Sequence, residues 1–273
     1  MDKKTIGIIG GVGPYAGIDL VKKIFDQTYA NSDQEHLPVL LISMPGQIVD
    51  RTAFILGQTG INPAYAIYQK IKVLEKMGVD IVGIPCNTTH SPQIMNVIVN
   101  KLKNSKSKIK LINMVSEVGG FILENFAGLR NVGVLSTTGT YKSGVYQEYL
   151  DKMGLKVIVP DEFVQENLIN KAIYDPKFGI KAQSNPVTEK ARNLLMEGSF
   201  YLERKGAEAV VLGCTEIPLA FTQNTIGNAV VIDSTLVLAR ALIREAAQEK
   251  LKPLGIDFRI GKSAVSKKVK CTL

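Results

Sequence analysis

The sequence predicts a duplicated α/β fold, each half built on a parallel sheet, and three observations predict it. Short β-branched runs alternate with segments whose apolar residues recur at helical spacing, the pattern of βα units that cover a parallel sheet on both faces. The alternation is completed once in each half of the chain. The halves also match in detail. Ile6-Gly7-Ile8-Ile9 lies over Val132-Gly133-Val134-Leu135 at an offset of 126 residues, which brings Gly13 onto Gly139. The segment from Gly78 to Cys86 lies over Gly206 to Cys214 at an offset of 128, cysteine on cysteine.

In the first half, runs 6–9, 39–43, 81–84 and 110–112 are short, β-branched and end near Gly, Pro or Ser, as buried parallel strands do. Between them, 16–29, 64–77 and 92–103 read as helices. Ser91 before Pro92 suits an N-cap followed by the first helical position. In the second half, strands are expected at 132–135, 156–159, 209–212 and 230–232, and helices at 144–153, 163–174, 187–205 and 235–249. The resulting domains are 1–115 with 222–250, and 116–221. Residues 251–273 form a basic extension in which Ile256, Phe258 and Ile260 alternate like an edge strand.

The 273 residues are 45% hydrophobic, enough for two domains with real cores. No apolar run reaches the length of a membrane span, so no membrane partner is expected. Met1-Asp2-Lys3-Lys4 leads straight into a strand without a signal-peptide core, which predicts a cytoplasmic protein. The net charge of +8 gathers in Lys101, Lys103, Lys106, Lys108 and Lys110 and in Lys262, Lys267, Lys268 and Lys270. These clusters lack interleaved arginines and aromatics, so they read as solvated faces, with no nucleic-acid partner. Cys86, Cys214 and Cys271 are odd in number and far apart, which argues against a disulfide framework. With only His36 and His90 to help, no metal site is expected. Cys271, in the lysine-rich tail, has no assigned role.

Gly10-Gly11-Val12-Gly13-Pro14 closes the first strand, and Gly11, Gly13 and Ala16 fit the dinucleotide fingerprint. Its context does not. The second strand ends Ile42-Ser43-Met44-Pro45-Gly46, with nothing acidic before Asp50 to hold a ribose. The matching turn of the second half, Ser136-Thr137-Thr138-Gly139-Thr140, keeps one glycine among four hydroxyls. What the two turns share is backbone N–H at a helix N-terminus, a place for a small anion such as a carboxylate. Gly13 is therefore a candidate substrate contact.

Cys86 and Cys214 each follow a hydrophobic strand, where ligands of parallel sheets bind. Asn87-Thr88-Thr89-His90 follows the first and Thr215-Glu216 the second. If the domains face one another about a pseudo-twofold axis, the thiols flank a shared cleft. One thiolate could remove a proton from a substrate carbon while the opposite thiol returns one to the other face. A thiol's ordinary pKa of about 8.5 comes within reach of neutrality if polar or cationic neighbours lower it. Asn87, Thr88 and Thr215 could stabilise the carbanion through the carboxylate.

These motifs, with Asp33-Gln34-Glu35-His36 and Asp50-Arg51-Thr52, resemble the aspartate/glutamate racemase family over roughly residues 3 to 250, most closely its aspartate racemase branch. The resemblance implies two flavodoxin-like domains, an active site in the cleft, no cofactor, and a homodimer. It implies that Cys86 and Cys214 are the catalytic thiols, serving the D- and L-enantiomer respectively. Asn87, Thr88, Thr138 and Thr215 would hold the α-carboxylate and amine, and Arg51 a side-chain carboxylate. The branch carries a lysine after an Ile-Tyr pair; here Lys177 fits with a one-residue deletion, and Lys181 competes. Asp50, His90 and Glu216 would orient or tune the thiols. The expected reaction is racemisation of an acidic amino acid, aspartate or glutamate. Maleate isomerisation, hydantoin racemisation and non-catalytic binding of a small acid are the alternatives.

Overall fold

The computed structural model describes residues 4–255, which divide into two compact units: residues up to Glu117 with Thr235–Lys252, and Val118–Ser234 with residues 253–255. The alternating run from Ile256, the tail lysines and Cys271 lie outside the described residues. No helix among the described residues is long and apolar enough to cross a membrane.

The first unit holds β1 (Ile6–Gly10), β2 (Val39–Ser43), β3 (Ile81–Gly83) and β4 (Lys110–Leu111), in the order β2-β1-β3-β4 and parallel throughout. β1 and β3 are inner strands and wholly buried; β2 and β4 lie at the edges and are partly exposed. Side chains alternate across β1. Ile6 and Ile8 pack with Leu20 and Ile24 of helix Pro14–Asp26 and with Leu238 and Leu242 of helix Ser234–Ala247. Ile9 packs on the other face with Ile67, Ile71 and Leu74 of helix Ala64–Lys76 and with Ile94 and Ile98 of helix Pro92–Asn104. Each helix thus buries one stripe at three-to-four spacing.

The second unit holds β5 (Asn131–Ser136), β6 (Lys156–Ile158), β7 (Ala209–Gly213), β8 (Thr225–Ile226) and β9 (Ala229–Asp233), ordered β6-β5-β7-β9-β8. All pairs are parallel except β8 with β9. This corrects the expected domain limits. The segment from residue 222 was assigned to the first domain, but β9 pairs with β7, its first four residues buried, and the chain returns to the first unit only at Thr235. The helix expected at 144–153 runs over Val145–Asp151, and Gly144, in the left-handed region, parts it from a short helix, Thr138–Ser143, that was not anticipated. The helix expected at 163–174 runs over 162–174, with a π-helical segment, Gln165–Asn170, at its centre. Helix Met114–Asn125 was not anticipated; its Gly119-Gly120 pair weakens the helical signal.

Gly11 has φ +75°, and a Cβ there would stand 2.6 Å from the backbone nitrogen of Met44. Gly46 meets nothing within 4 Å. Gly11→Ala should lower the unfolding free energy by about 1–3 kcal/mol in urea denaturation. Gly46→Ala should change it by less than about 0.5 kcal/mol. Equal stability of the two variants would contradict the assigned turn.

Candidate active site

The strand ends at Gly83, and Pro85, which cannot donate to a strand ladder, keeps it from resuming. Cys86 follows in extended conformation, its N–H donating to the Ile84 carbonyl at 2.8 Å. The tight turn Asn87–His90 comes next, with all four side chains buried. His90 Nε2 lies 3.3 Å from the Ile84 carbonyl oxygen. Burial pushes its imidazole down to about 4, so at neutral pH the ring is uncharged and Nε2 donates this bond. His90 thus braces the strand end that carries Cys86.

The glycine turn lies at the end of the neighbouring strand β1. Gly13, extended, caps helix Pro14–Asp26. Asp50 caps helix Arg51–Ile55, its Oδ1 accepting from the Ala53 N–H at 2.8 Å. Arg51 is buried, and its guanidinium donates to the carbonyl oxygens of Val12 and Val49. The arginine picked out by its motif therefore stands against the glycine turn, and Asp50 positions the helix start that carries it.

In the second unit, β5 ends at Ser136 and Thr137 caps the next helix, its Oγ1 accepting from the Thr140 N–H at 3.3 Å. Thr138 is buried and its hydroxyl donates to Glu166 Oε1 at 2.7 Å. Parallel to β5, β7 delivers Cys214, Thr215 and Glu216, all buried. The Cys214 thiol donates to Glu216 Oε2 at 3.1 Å, and Glu216 Oε1 lies 2.8 Å from Lys181 Nζ. The same ammonium sits 5.5 Å from the centre of the Tyr174 ring. Lys181, four residues beyond Lys177, is the lysine that reaches this cluster. Lys177 is exposed; its N–H donates to Asp175 and its carbonyl accepts from Gln183.

Burial, and next the Glu216 carboxylate, push the Cys214 thiol well above its ordinary range; the Lys181 charge opposes them. Burial pushes the Lys181 ammonium down, but Glu216, with Cys214 and Tyr174, more than offsets this and the ammonium stays charged. At neutral pH Cys214 is therefore a thiol with its proton aimed at a carboxylate. It is ready to donate, and it becomes a thiolate when Glu216 holds that proton. Tyr146 also lies close enough to feel the Cys214 charge. Tyr146 was not singled out in the sequence. Glu166 and Gln165 carried no sequence signal either. Among the described residues no group of three or more His, Cys, Asp or Glu side chains could hold a metal ion.

These opposing charges fix the sign of two changes. With the other cysteines replaced by serine, thiolate absorbance of Cys214 should rise at lower pH in Glu216→Gln and at higher pH in Lys181→Met than in the parent. Titration curves that coincide in all three proteins would contradict the cluster.

The family model described as Asp/Glu/Hydantoin racemase matches residues 9–242. The broad specificity amino-acid racemase RacX of Bacillus subtilis is 25% identical over 245 residues, 87% of this chain and 96% of that protein. Glutamate racemase of Carboxydothermus hydrogenoformans is 27% identical, covering 92% of this chain and 84% of its own. The structure of Picrophilus torridus aspartate racemase superposes with a TM-score of 0.74 at 30% identity, over 95% of this chain and 99% of that one. The chain belongs to the Asp/Glu/Hydantoin racemase family and is an amino-acid racemase.

Proposed function

We propose that the protein racemises an acidic amino acid, aspartate or glutamate, by a two-thiol mechanism without a cofactor, acting as a cytoplasmic homodimer. One observation carries the reading: each unit ends an inner parallel strand and then presents a buried thiol, Cys86 after β3 and Cys214 after β7. The names of the aspartate and glutamate racemases it resembles support an acidic substrate.

Starting from the D-enantiomer, the Cys86 thiolate takes the α-proton. The electron pair left on Cα delocalises into the carboxylate, held by Asn87, Thr88 and Thr215 and the backbone of the Gly13 turn. Cys214 then gives its proton to the opposite face. Cys86 ends as thiol and Cys214 as thiolate, and proton exchange with solvent resets the pair. The reverse direction needs Cys214 as base, and Glu216 is placed to hold the proton that Cys214 gives up. Arg51 and Lys181 supply positive charge for the side-chain carboxylate, Lys181 taking the role expected of Lys177.

Chiral chromatography of L-aspartate and L-glutamate incubated with the enzyme tests this. D-isomer should form with the wild-type chain. Cys86→Ser and Cys214→Ser should each lose about a thousandfold or more of the rate. Lys181→Met should lose most of the activity and Lys177→Met little. If the wild-type chain forms no D-isomer from either acid, the reading fails.

A further inference from the structure

The π-helical segment Gln165–Asn170 packs against the carboxyl end of β5, where the chain turns into Thr137 and Thr138. Such segments interrupt a regular helix at a cost and recur at functional sites. Three of its side chains point to one ligand chemistry. Gln165 is 1% exposed and its Nε2 donates to the Ser136 carbonyl at 3.0 Å. That bond fixes the amide orientation, because only the nitrogen can donate to a carbonyl. Gln165 Oε1 is then a buried acceptor with no hydrogen-bond partner. Asn170 repeats the arrangement. Its Nδ2 donates to Glu166 Oε2 at 3.2 Å, and its Oδ1 is buried and without a partner. Glu166 lies between them, its other oxygen taking the only hydroxyl proton of Thr138.

Residues 165 and 170 are five apart, one turn of a π-helix, so they share a face. The face offers two amide oxygens and a carboxylate, and the proton of the nearby hydroxyl is already committed. Unpaired buried acceptors are costly, and a site made only of acceptors rejects an anion. Such a site suits a group with several N–H donors and a positive charge.

We propose that Gln165, Glu166 and Asn170 form a subsite for the primary ammonium group of the substrate. The inference rests on the racemase reading and sharpens it. Thr138 was expected to hold the substrate directly. Here it orients Glu166, and this side of the second unit recognises the amine and not a carboxylate.

Calorimetric binding of aspartate and of succinate, the same skeleton without the ammonium, to the full chain tests the proposal. The wild-type chain should prefer aspartate. Glu166→Gln, which keeps an acceptor for Thr138, and Asn170→Leu should each weaken aspartate about tenfold or more while leaving succinate within about twofold. Circular dichroism melts identify a variant that has merely lost its fold. Equal losses for both ligands in folded variants, or no loss, would overturn the subsite. So would a wild-type chain that binds succinate as tightly as aspartate, even if it racemises. A wild-type chain that prefers aspartate but never exchanges its α-proton would sink the racemase reading and leave the subsite standing. A wild-type chain that binds neither acid would overturn both.

Discussion

Within each unit, parallel hydrogen bonding of β1 with β3, and of β5 with β7, forces the carboxyl ends of those strands to the same edge of the sheet. The residues that follow them have nowhere else to gather. The glycine turn and Cys86 share one edge in the first unit, and Thr137, Thr138 and Cys214 share one in the second. The register is firmly held because β1, β3 and β7 are buried along their whole length and β5 nearly so. A slip of one residue would turn every side chain to the wrong layer. The chemistry of the loops is thus built on the apolar pairing of strands that contain no polar side chain except at their ends.

The repeat has preserved this geometry while changing its electrostatics. After Cys86 come amide and hydroxyl side chains and an imidazole kept neutral by burial. After Cys214 comes a carboxylate, paired with an ammonium from the segment beyond Tyr174. A buried carboxylate alone would be costly, and a buried lysine alone would lose its proton. Together they persist, and the buried thiol beside the carboxylate keeps its proton. Cys214 thus has a carboxylate beside it to accept its proton.

Much of this was legible in the sequence, because the signals were local. β-branched runs, helical spacing and the matched cysteines located every strand but the two-residue β8, most helices and both thiols. Pro85 and Pro14 marked where strand ended and helix began. The domain limit after residue 222 was missed because β9 reads equally well as a strand of either sheet; only its pairing with β7 decides. Lys181 was ranked behind Lys177 because motif spacing counts residues and does not show which ammonium reaches Glu216. Gln165, Glu166 and Asn170 looked like an ordinary helix face. A π turn is set by tertiary packing, and no residue type announces it.

The central claim is that two thiols work on opposite faces of one carbon. The most direct measurement follows the isotope in the first product formed from L-aspartate in D2O. The account predicts that every D-aspartate molecule carries deuterium at Cα from the earliest time points, while recovered L-aspartate is still protiated. D-aspartate that retains the original proton would show a single base returning what it took, and would contradict it.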